Sequence, residues 1–116
     1  MFRLVLIFLS LSLGNLSCRL SPKTETEIPA AAYETCVYIQ MHNRAPKGHV
    51  GGRTFGNYEQ LLPKTDVKNE RLRYREWDIY PKKKGENRGA ERLVTCSDGA
   101  AYYTPDHYQS FALLKH

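Results

Sequence analysis

At 116 residues the chain has room for one hydrophobic core, not two. With 41% hydrophobic and 25% charged residues it reads as globular, which excludes collagen, coiled coil, a disulfide-dense miniprotein and a multi-span membrane protein. Lys and Arg total 17 against 12 Asp and Glu, a formal charge of +5 that suits an anionic partner such as nucleic acid or a lipid surface, and three Cys are too few for a cysteine-only zinc site.

Residues 1–17 (MFRLVLIFLSLSLGNLS) read as an export signal. Arg3 supplies the positive start, and residues 4–13 are an apolar run too short to span a bilayer comfortably. The run ends in Asn15-Leu16-Ser17-Cys18, which resembles a bacterial lipobox, although Asn15 departs from the aliphatic residue usual there. Lipidation of Cys18 and plain secretion both stay open, and either places the domain outside the cytoplasm: secreted, periplasmic or on the outer cell surface. Residues 18–31 are polar and Pro-containing without periodicity, so they read as a flexible tether. In an oxidising compartment Cys36 and Cys96 are an even pair. Their disulfide would close a long loop and add ~3–4 kcal/mol; two separate buried thiols are the alternative.

From Ala30 to about Asn43 the alanines and the near-helical spacing of Tyr33, Cys36, Val37 and Met41 predict a short amphipathic helix that stops before Pro46. Four glycines between Lys47 and Gly56 mark a loop or an irregular edge strand. Alternation over residues 71–80 sets Tyr74, Glu76 and Asp78 on one side and Trp77 and Ile79 on the other. Lys82, Lys83 and Lys84 form a basic turn, solvated or drawing in a polyanion. Further strands are expected over 91–96, 100–103 and 108–114, with a hairpin at Ser97-Asp98-Gly99 and a break at Thr104-Pro105-Asp106. The result is an α+β domain: a short N-terminal helix on one face of a mainly antiparallel sheet of four to five strands, the other face left open.

A Glu, a His and two Arg can meet on that open face. Glu76 can accept a proton, His107 can donate one, and Arg88 and Arg92 can hold phosphoryl oxygens. No metal-ligand spacing is visible, so no cofactor is expected, and RNA carries its own nucleophile in the 2′-hydroxyl. Each residue alone has an ordinary explanation: a cross-strand pair for Glu76, a surface position for His107, a salt bridge to Glu76 or Asp78 for Arg92.

Together, four segments in order resemble the small microbial guanyl-specific ribonucleases, the barnase-like and compact streptomycete-type enzymes. They are FGNYEQLLP (55–63), YREWDI (74–79), NRGAERLV (87–94) and YYTPDHYQSF (102–111). The resemblance spans residues 33–114, implies the microbial ribonuclease fold, and makes residues 32–116 a ribonuclease domain. It implies Glu76 as general base, His107 as general acid, Arg88 and Arg92 as the phosphate clamp, and Tyr108 as a supporting residue. Phe55, Asn57, Tyr58 and Glu59 fall on the guanine-binding loop. There a Glu59 carboxylate would accept from the base's N1–H and N2–H₂, backbone N–H groups would meet O6, and Phe55 would lie under the base. Many family members carry Arg where this chain has Tyr58, which puts guanine preference in more doubt than cleavage.

The implied activity is exported, metal-independent cleavage of single-stranded RNA 3′ of guanosine through a 2′,3′-cyclic phosphate. A monomer is expected, with a barstar-like intracellular inhibitor as a companion protein and a membrane link only through a lipid anchor. The alternative is a non-catalytic basic surface lipoprotein that binds RNA or another anionic partner.

Overall fold

The computed structural model describes residues 25–116, so the export signal, Cys18 and the first part of the tether lie outside the described residues. One helix, α1 (Ala30–His42), precedes five strands: β1 (Gly51–Phe55), β2 (Tyr74–Asp78), β3 (Arg92–Cys96), β4 (Ala101–Thr104) and β5 (Ala112–Lys115). The strands form an antiparallel meander in the order β1-β2-β3-β4-β5. The α+β expectation holds, with five strands.

Residues 30 and 31, at the end of the expected tether, belong to the helix expected from Ala30. Helix α1 begins at Ala30, and Ile28 before it already packs against the core. At the other end Asn43 closes the helix in the left-handed conformation, at φ 51°, its N–H donating to the Ile39 carbonyl at 2.7 Å. The buried face also differs from the expected one. Ala32, Thr35, Cys36 and Ile39 face the sheet, while Tyr33, Val37 and Met41 stay exposed. Small side chains at 32 and 35 let the helix approach closely, and the Thr35 hydroxyl donates to the Ile79 carbonyl at 3.4 Å.

On the helix side of the sheet lies the core of Trp77, Ile79, Leu93, Ala101 and Tyr103. Trp77 is fully buried, and its indole N–H donates to Thr95 Oγ1 at 2.8 Å. Gly51 pairs with Trp77, and a Cβ at position 51 would lie 2.8 Å from the Trp77 Cα, so glycine is what lets the edge strand β1 lie this close.

The opposite face is not open, contrary to expectation. Leu62, Tyr74 and Val94 form a second buried cluster, flanked by Phe55, Leu72, Cys96, Tyr102, Tyr108 and Phe111. The 56–63 loop and the last turn fold over part of that face, and the Tyr74 hydroxyl ties the loop down by donating to the Pro63 carbonyl at 2.5 Å. What this cover leaves exposed is the site.

The expected Cys36–Cys96 disulfide is absent. Cys36 is buried in the helix-side core and Cys96 packs in the second cluster, so the sheet stands between two free thiols. The strand expected over 108–114 is shorter and later: β5 starts at Ala112, and residues 105–110 form a turn.

Candidate active site

Period-two alternation brings the site together. Tyr74, Glu76 and Asp78 point to one face of β2, opposite Cys96, Val94 and Arg92 of β3. Arg53 of β1 pairs with Glu76 from the other side, next to a bulge after Gly51.

The Glu76 side chain is 17% exposed and has two partners. Oε1 lies 3.1 Å from Arg53 Nη2, and Oε2 accepts from the Tyr108 hydroxyl at 2.7 Å. Burial, and then the bond to the Glu76 carboxylate, push the Tyr108 hydroxyl well above the usual phenol range; the Arg92 guanidinium partly opposes this. Tyr108 therefore remains a proton donor to Glu76 across the neutral range.

Asp78, 3% exposed, anchors both arginines. Arg88 grips it bidentately, Nε to Oδ2 at 2.7 Å and Nη2 to Oδ1 at 2.5 Å. That bond pushes the Arg88 guanidinium above its ordinary range, against the opposing pull of burial. Arg92 Nε sits 3.1 Å from Oδ1, and Arg92 Nη1 donates to the Gly89 and Glu91 carbonyls at 3.1 and 2.7 Å. The Nε contact brings the charges together without hydrogen-bond alignment, so this buried donor has no acceptor. Two cations share one anion, which leaves a net positive corner beside Glu76. The arrangement fixes both guanidiniums while leaving Nη1 of Arg88 and Nη2 of Arg92 for another acceptor.

His107 stands on the turn, not at the start of a strand. It and Tyr108 have φ of 54° and 72°, left-handed values that non-glycine residues rarely take, costing of order 1–3 kcal/mol each. A hydrogen-bond frame holds them. Asp106 accepts from Thr104 Oγ1 at 3.0 Å, from Ser110 N at 2.9 Å and from Ser110 Oγ at 2.5 Å. Thr104 Oγ1 accepts from Tyr108 N at 2.9 Å, and His107 N donates to the Ala90 carbonyl at 2.9 Å. The Ser110 hydroxyl and the other donors hold the Asp106 carboxyl below its ordinary range. The His107 ring is exposed and lies 4.8 Å from the Tyr108 ring, which itself touches Glu76. The carboxylate and the imidazole thus flank the same tyrosine.

A cleft of about 190 Å³ adjoins this cluster, lined by Phe55, Asn57, Glu59, Leu61, His107 and Tyr108, with Tyr58 at its rim. Phe55 stacks on Tyr108 at 4.8 Å between centroids, and Phe111 meets Phe55 edge-on at 6.0 Å. The Asn57 side chain is spent on the loop: its amide donates to the Leu62 carbonyl at 2.9 Å and accepts from Leu62 N at 3.1 Å. Its role is to shape the loop. Tyr58 is 92% exposed, its ring folded over Gly56 where a Cβ would collide with it. Glu59 lies exposed at the same opening.

Arg53 was not legible as a site residue. It sits in a glycine-rich segment, and only strand pairing sets it against Glu76. Asp78 was legible only as a salt-bridge partner; that it organises both arginines follows from the β2–β3 register.

Residues 13–115 match the ribonuclease family. A ribonuclease of Heyndrickxia coagulans is 38% identical over 71 residues, 61% of this chain and 60% of that relative, so the chain spans about 60% of the length of the curated relative it matches. Among solved structures, ribonuclease Sa2 with guanosine-2′-cyclophosphate aligns at a TM-score of 0.55 and 31% identity, covering 77% of this chain and 88% of that one. Ribonuclease Sa2 with exo-2′,3′-cyclophosphorotioate aligns at 0.55 and 31%, covering 77% and 89%.

Proposed function

The chain belongs to the ribonuclease family, and on that premise we propose that it is an exported endoribonuclease. It cleaves single-stranded RNA 3′ of guanosine by transesterification, without needing a metal. The observation that carries this reading is the Glu76 carboxylate, held by Arg53 and Tyr108 beside two guanidiniums fixed on Asp78, with the His107 ring against the same Tyr108.

Glu76 takes the proton from the 2′-hydroxyl as that oxygen attacks phosphorus. His107 protonates the departing 5′-oxygen, which leaves a 2′,3′-cyclic phosphate. Water can open the ring with the two roles exchanged. Charge building on the phosphoryl oxygens is met by Arg88 and Arg92, whose positions are set before substrate arrives, so little reorganisation is needed. Nη1 of Arg88 and Nη2 of Arg92, not used on protein acceptors, are the donors such an anion would meet. Arg53 Nη2, 3.1 Å from Oε1, helps hold the Glu76 carboxylate in place.

Guanine preference rests on Glu59 at the mouth of the cleft and on Phe55 beneath it. Ribonuclease Sa2, solved with guanosine-2′-cyclophosphate, adds support. Tyr58 contributes an aromatic face where many relatives carry a cation. Export rests on residues 1–17 alone.

The test is turnover of GpU in chelator. Guanosine 2′,3′-cyclic phosphate should appear. Glu76→Gln and His107→Ala should each lower kcat by roughly 10²–10⁴-fold while the thermal midpoint stays near wild type. No cyclic product from wild type, or full activity in both variants, would leave the non-catalytic binding protein as the better reading.

A further inference from the structure

A second concavity of about 940 Å³ lies behind the base loop, and nothing in the chemistry above uses it. It shares Phe55, Asn57 and Tyr58 with the cleft, while His107 lines only the cleft. Its far wall carries Lys64, Arg71 and Arg73. All three are exposed, and no carboxylate pairs with them among the described residues. Arg75, also in the wall, is occupied: it donates to the Gly52 carbonyl and the Asn43 side chain and lies 4.4 Å over the Trp77 ring.

The cations are held in place by structure. Leu72 and Tyr74 turn into the second cluster, so alternation throws Arg71 and Arg73 outward. A short hairpin sets Lys64 beside them: Thr65 bridges to Arg71, and Leu72 N donates to the Lys64 carbonyl at 2.9 Å. Asp66 braces that hairpin, accepting from Lys68 N and Glu70 N at 2.9 Å each. Tyr58 stands on the rim common to both hollows. A cationic groove next to an exposed aromatic face is the arrangement that holds single-stranded nucleic acid.

We propose that this groove is a subsite for the phosphates of the RNA strand on the 5′ side of the cleaved guanosine. The inference rests on the ribonuclease reading and extends it. In that reading His107 faces the departing 5′-oxygen, so the 3′ strand leaves past His107, away from the groove. The 5′ flank is then the part of the strand that passes over Tyr58 toward Lys64, Arg71 and Arg73.

The test compares wild type with Arg71→Ala/Arg73→Ala on three substrates: GpU, a hexamer with its only guanosine next to last, and a hexamer with guanosine first. The double variant should lower kcat/KM about tenfold on the hexamer with the 5′ flank, chiefly through KM. GpU and the hexamer with guanosine first should change less than twofold. Binding of the 2′-deoxy form of the 5′-flanked hexamer should lose about 1.4 from its log Kd against log salt slope, ~0.7 per cation removed. Equal losses on all three substrates, or no loss on any, would overturn the subsite. So would an unchanged slope with binding to anionic lipid vesicles lost, which would assign the groove to a membrane surface. The deoxy-oligomer slope needs no turnover, so it reads the groove even if wild type cleaves nothing and the catalytic reading fails.

Discussion

Tyr108 joins three parts of the site at once. Its ring stacks on Phe55 and lies against His107, and its hydroxyl donates to Glu76. Hydrogen bonds to charged groups contribute about 1.5–3 kcal/mol. Tyr108→Phe keeps the stack and removes only the donor, so kcat/KM on GpU should fall roughly tenfold to a hundredfold with the thermal midpoint little changed. Activity equal to wild type would show that the hydroxyl does not orient the carboxylate. Glu76, Arg88, Arg92 and His107 were readable as a set because their spacings match a family, yet what each side chain touches was not. Arg53 lies 23 residues before Glu76 in no recognisable pattern, and it reaches the site through strand register alone.

At the scale of elements, the turn over residues 105–110 does the positioning that a strand was expected to do. The stretch YQSFALL alternates well enough to pass for a strand, because Tyr108 and Phe111 both pack into the second cluster. The backbone reaches that packing through two left-handed residues braced by Asp106. An aspartate whose folded-state value is depressed stabilises the folded chain above its unfolded value, and that contribution is lost as the pH falls through the folded-state value. Asp106→Asn should therefore lower the urea midpoint at pH 7, and the gap from wild type should close below about pH 3.9. A gap that persists unchanged at pH 2 would mean the carboxylate charge is not what holds the turn. Helix α1 shows a similar limit of periodicity. Two faces fit a 3.6-residue repeat, and the bulkier Tyr33, Val37 and Met41 look more apolar than Ala32 and Thr35. Closeness to the sheet favours the smaller face.

Over the whole molecule, one sheet separates two clusters, and the two cysteines fall on opposite sides. Iodoacetamide in denaturant without reductant should alkylate both Cys36 and Cys96; protection of the pair would restore the disulfide. Composition, alternation and turn chemistry were enough to settle an α+β fold with one helix on a mainly antiparallel sheet, because periods of two and 3.6 and the Asp98-Gly99 turn act locally along the chain. The family's four segments were likewise visible in order. Which face of the helix is buried, that the second face of the sheet is covered, that Asp78 binds two arginines and that Arg53 meets Glu76 all depend on residues far apart in sequence packing at short range. Such contacts exist only once the register is set, and a local pattern carries no information about them.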